Sequence, residues 1–177
     1  MKRSTGRKGG PVNHEALSAL LDYHYWARDR MLEALARLSS EAYTRHLGGS
    51  FGSIRDTVVH MYRTEWLWHA RWRGISPSEQ VPANPFPDVP SLEQAWLELE
   101  GRVRSSVRET DDDGLQRVID YRRLNGEAVR SVFWHMVHHV VNDATYHRGQ
   151  VTMLLRQIGD DPPEPTDLIT FYRRPPL

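Results

Sequence analysis

Apolar residues recur every three or four positions over four long stretches of this chain, and only an α-helix gathers residues at that spacing onto one face. The first stretch runs from Asn13 to Leu38, where Leu17, Leu20, Leu21, His24, Met31, Leu35 and Leu38 form the stripe. The second runs from Ser53 to Arg73, with Ser53 and Asp56 as a capping pair and Gly74 as a stop. The third starts at Ser91, with Gln94 three residues on in a capping-box pattern. It carries Leu92, Ala95, Leu99, Val103 and Val107 and fades near Asp111-Asp112-Asp113-Gly114. The fourth runs from Ser131 to Ile158 and ends at Gly159, ahead of Pro162 and Pro163. Such helices bury their stripes against one another, which predicts an all-α four-helix bundle.

The connections are less regular. Between the second and third helices lies ISPSEQVPANPFPDVP, whose five prolines exclude a continuous helix. It reads as a surface connection, since neither side has the look of a self-sufficient domain. From Leu115 to Arg130 the pattern changes: Val118, Ile119 and Tyr121 precede Asn125-Gly126, which predicts a short β-hairpin with a two-residue turn. Thr166 to Arg173 adds a short ordered turn. The first ten residues, MKRSTGRKGG, are basic and rich in Gly and Ser, so residues 1–11 read as a flexible tail and 12–177 as one domain.

Composition narrows the function. Lys plus Arg and Asp plus Glu each number 23, so no net field steers the chain toward nucleic acid or an anionic membrane. There is no bilayer-length apolar run and no secretory signal, and a cytoplasmic location is the expectation. The chain has no cysteine, so a metal must be held by His and carboxylate, and thiol chemistry needs a thiol from outside. Nine histidines make such a site plausible chemistry. No Gly-rich phosphate loop or nucleophile elbow is present.

The fourth helix separates its own histidines. At about 100° per residue with Asp143 at zero, its apolar residues fall between about −20° and 120°. His147, at about 40°, lies inside that sector, and Asp143 lies at its edge. His139 falls slightly outside, and His135 and His138 point away. Asp143 and His147 are one turn apart and therefore neighbours. A buried carboxylate is costly unless paired or bound to a metal. Asp143 either accepts a hydrogen bond from His147 or a distant Arg, or it shares an ion with His147. Helix two offers His60, beside Thr57 and Thr64, as a further ligand. Glu65 falls inside that helix's apolar stripe, as a partner for a ligand His, a general base, or one half of a salt bridge. His24 is either a core histidine or part of the pocket lining, and Trp66, Trp68 and Trp72 read as packing or, for some of them, as the lining of a pocket or a dimer surface.

Several of these blocks resemble the DinB/YfiT-like superfamily. NDATYHRGQVTMLLRQIG, from Asn142, is similar to its C-terminal signature, and DTVVHMYRTEWLWHARWRG to its second-helix segment. LLDYHYWARDRMLEAL resembles its first helix and DLITFYRR its C-terminal end. The resemblance implies a four-helix bundle with a divalent ion, Zn, Ni, Mn or Fe, on His60, Asp143 and His147. Many members have His where this chain has Asp143, although the related mycothiol-dependent maleylpyruvate isomerases use a carboxylate there. Arg148, Gln150 and Asn142 belong to the motif as hydrogen-bonding residues. The resemblance further implies a low-molecular-weight thiol cosubstrate, a small-molecule substrate and a homodimer. The leading expectation is thus a metal-dependent transferase, isomerase or hydrolase. The other is a non-catalytic stress-response or binding protein with a structural metal or none.

Overall fold

The computed structural model describes residues 12–79 and 86–174. The expected tail at 1–11 lies outside the described residues. In chain order the elements are α1 (His14–Leu35), α2 (Ser40–Thr44), α3 (Ile54–Trp72), α4 (Val89–Arg108), α5 (Asp112–Leu115), β1 (Val118–Arg122), β2 (Ala128–Val132), α6 (Phe133–Gln157) and α7 (Leu168–Tyr172). The four long helices close a ring, with α1 against α4 and α6, and α3 against α6 and α4. The expected four-helix bundle is what forms. None of the described helices is long and apolar enough to cross a membrane.

Local chemistry sets the helix starts. Asn13 caps α1 by accepting from the Ala16 amide, and Ser53 caps α3 by accepting from the Asp56 amide. The Ser53 hydroxyl in turn donates to Asp56 at 2.7 Å. The start of α4 differs from the sequence reading. Its cap is Asp88, which accepts from the Ser91 amide, so the helix opens two residues early and places Pro90 in its first turn. Proline costs nothing there, because first-turn amides have no partner within the helix. Gly159, at φ 80°, ends α6 in the left-handed conformation that side chains disfavour.

The stripes meet as a core. Leu17, Leu21, Met31 and Leu35 of α1 pack with Ile54 and Val58 of α3, Leu92, Trp96 and Leu99 of α4, and Phe133, Val137, Val151 and Leu155 of α6. Each is almost fully shielded from water. Burying one such side chain contributes about 1.5–3 kcal/mol, so this layer holds the bundle together.

The hairpin also forms, pairing Val118 with Val132 through Arg122 with Ala128. Its turn is not the expected two-residue one. The Arg123 amide donates to the Glu127 carbonyl and the Gly126 amide to the Arg123 carbonyl, leaving a three-residue loop, 124–126. Gly126 takes φ 84° at the bulge position of such loops. Ile119 and Tyr121 face inward, and β2 runs without a break into α6.

Candidate metal centre

His60 lies on α3, and Asp143 and His147 lie on α6, the two helices that share a long packed seam. One ligand atom from each of the three comes within 4.8 Å of the others. His147 Nε2 is 3.7 Å from Asp143 Oδ1. A tetrahedral site with bonds of about 2.1 Å has edges of about 3.4 Å, so small side-chain rotations would close the set on one ion. Two histidines and one carboxylate suit a first-row divalent metal and leave coordination positions open. The Asp143 side chain is partly exposed and His147 is buried, so the open side faces Asp143.

Each ring is held. His147 Nδ1 is 2.7 Å from Gln150 Oε1, and a carboxamide oxygen only accepts, so Nδ1 carries the proton. Nε2 is thereby left with its lone pair toward Asp143. Gln150 also donates to Ser50 at 3.4 Å, tying the His147 side chain to the loop before α3. Thr64 Oγ1 lies 3.3 Å from His60 Nε2. Phe51, on the same loop, stacks on His60 with ring centroids 4.1 Å apart and sets its edge toward His147 at 5.4 Å. Burial, and then His147, hold the His60 imidazole below its ordinary value of 6.5, and the Asp143 charge opposes this only in part. His60 is therefore neutral at pH 7, the state that binds metal.

The orienting bond gives a measurable expectation. Gln150→Leu should weaken metal affinity about 10–100-fold, the usual effect of removing such a partner, with the fold intact. Competition with a metal-sensitive chelator dye would measure it. Unchanged affinity would show that Gln150 does not hold the ring.

Glu65 is not in this group. It lies five residues beyond His60, about 140° around the helix, and faces α1 and α4. Its carboxylate accepts from His24 Nε2 at 3.0 Å, the Tyr25 hydroxyl at 2.8 Å and Trp96 Nε1 at 2.8 Å. This is a core network, and its partners are not the Arg that a sequence-based salt bridge suggests. His24, likewise, packs in the core and does not line the site. Burial alone would raise the Glu65 pKa, but the charge and hydrogen bond of His24, with the Trp96 and Tyr25 bonds, bring it below 4.5. A depressed native value means stabilisation that is complete above about pH 4.5 and lost as pH falls through the native value. Wild-type stability minus that of Glu65→Gln, from urea titrations between pH 6 and 3, should therefore shrink below pH 4.5. A difference that stays constant would disprove the ionised state.

The remaining histidines of α6 sort as the wheel predicts, with His135 and His138 exposed. His139 is exposed too, against the Trp68 ring at 4.8 Å. Arg148 donates to the Tyr23 and Thr145 hydroxyls, a structural role. Phe51 is the residue that sequence reasoning missed. The available signal is a lone aromatic set among Gly48, Gly49 and Gly52, just ahead of the α3 cap.

Two histidines and a carboxylate thus meet across one helix seam of a four-helix bundle. The DinB family model matches residues 1–174, and the chain belongs to the DinB family. It is 25% identical over 150 residues to Protein DinB of Bacillus subtilis (strain 168), covering 79% of this chain and 84% of that protein. A crystal structure of a DinB-like protein from Bacillus cereus ATCC 10987 superposes with a TM-score of 0.68 at 16% identity, over 85% of this chain and 96% of that one. YfiT from Bacillus subtilis, described as a probable metal-dependent hydrolase with an unusual four-helix bundle topology, superposes with a TM-score of 0.62 at 17% identity. That match covers 91% of this chain and 97% of YfiT. At these identities the two structures speak for the fold alone.

Proposed function

We propose that this protein is a metal-dependent enzyme whose single divalent ion is held by His60, Asp143 and His147. The observation that carries the reading is the convergence of those three donors from α3 and α6 to within 4.8 Å, at a place where one helix seam opens to solvent. The description of YfiT as a probable metal-dependent hydrolase supports the same chemistry. When bound, the ion would supply Lewis acidity toward water or toward an external thiol. The chain itself supplies the frame. Gln150 fixes the His147 tautomer, Phe51 shields both rings from water, and His60 is kept neutral by burial. Because the chain contains no cysteine, a thiol-dependent transfer or isomerisation would draw its sulfur from a small cosubstrate. Glu65 is committed to the core, so a proton acceptor for the reaction comes from elsewhere than that carboxylate.

Elemental analysis of untagged protein purified without added metal tests the reading. About one equivalent of Zn, Ni, Mn or Fe, absent from His147→Ala, supports it. A wild-type protein that takes up none of these ions on incubation overturns it and leaves a non-catalytic helical binding protein.

A further inference from the structure

Beyond the ligands, the α3–α6 seam opens into a cleft of about 600 Å³ against the hairpin. Its floor is Arg71, which is only 6% exposed. The guanidinium carbon lies 4.7 Å from the Trp68 ring centroid and 4.9 Å from that of Tyr121. Aromatic rings therefore cover the group, but among the described residues no carboxylate pairs with it, and its buried Nε has no hydrogen-bond partner. Of the other buried arginines, Arg28 meets Asp29 and Glu100, each at 2.6 Å, and Arg148 donates to two hydroxyls while its Nε and Nη1 stay unpartnered. Arg71 differs from both in lining this cleft. Arg123, at the rim of the cleft, is paired with Glu127. Among the described residues, no acidic one lines the cleft.

A guanidinium packed this deeply, with a buried Nε that lacks a partner and no anion beside it, carries a desolvation cost that an anion in the cleft would offset. Its flat fork matches a carboxylate through two parallel hydrogen bonds. Trp68, Tyr121, Leu124 and Met136 give the cleft apolar walls. The wall nearest the metal centre is His139, one helical turn and about 6 Å along α6 from Asp143. We infer that the Arg71 cleft binds the carboxylate of a small organic acid with an apolar or aromatic body. Arg71 lies about 16 Å along α3 from His60, so only an acid long enough to span that distance would bring its far end to His60, Asp143 and His147. Its role as the substrate's anchored end rests on the metal-dependent reading, whereas the binding itself does not.

The test uses EDTA-treated wild-type protein and 3-phenylpropionate as probe, followed by titration calorimetry and by the NMR shift of the Arg71 Nε–H group. Saturable one-to-one binding is expected, with a shift of that resonance. Arg71→Met should weaken it at least about tenfold, the usual scale for a hydrogen bond to a charged group, and Arg71→Lys should weaken it less. The neutral 3-phenylpropanamide should bind at least about tenfold more weakly than the acid. His147→Ala should bind the acid as wild type does, even if no metal is ever found in the protein. Acid binding that survives Arg71→Met, equal binding of the amide, tighter binding of inorganic phosphate, dependence on His147, or no saturable binding and no Arg71 shift would each overturn the assignment.

Discussion

Glu65→Ala should destabilise the protein by roughly 3–5 kcal/mol, the range seen when one partner of a buried charged network is removed. For a chain of this size that lowers Tm by about 10 °C. The carboxylate is 2% exposed and accepts three hydrogen bonds from two other helices. Alanine would strand the His24, Tyr25 and Trp96 donors in a site without water and leave a void as well. Glu65→Gln should cost less, since its one carbonyl oxygen still satisfies at least one donor. Thermal and urea unfolding followed by circular dichroism measures both. An alanine variant that loses less than about 1 kcal/mol would mean that the network is dispensable.

The second large effect is across the seam between α3 and α6. Removing the His147 imidazole should lower metal affinity by more than about 100-fold, because even indirect partners of a ligand are worth 10–100-fold. Asp143→Ala should act in the same direction. Asp143→His should keep stoichiometric binding, since imidazole ligates the same divalent ions. All three variants should keep near-wild-type far-UV spectra, because the α3–α6 seam is packed by apolar residues such as Ile54, Val58, Val137 and Val151. Chelator competition reads the affinities. A His147→Ala protein with wild-type affinity would move the ion away from this site.

Much of this architecture was legible in the sequence because it depends on spacing. Three- and four-residue periodicity marked the long helices, and the one-turn interval from Asp143 to His147 put both groups on one side of α6. The five-residue α2 escaped notice because it is too short to show a period. Asp88 is hidden as a cap because Ser91 and Gln94 imitate the same pattern. The wheel placed Glu65 on a buried face but could not say which helix lies opposite, so the His24–Tyr25–Trp96 partnership was out of reach. Phe51 and Arg71 owe their importance to chain segments far from them in sequence, and no local pattern announces that.

The two faces of α3 have separate duties. One carries the Glu65 network that ties it to α1 and α4, and the other, about 140° around the axis, carries His60 toward α6. The core network and the candidate metal site thus draw on different side chains of the same nineteen residues. Opposite His60, Asp143 of α6 could be exchanged for an imidazole without disturbing the network that keeps the bundle upright. An architecture divided in this way lets one scaffold host different reactions, because trial and error at the site carries little risk of unfolding.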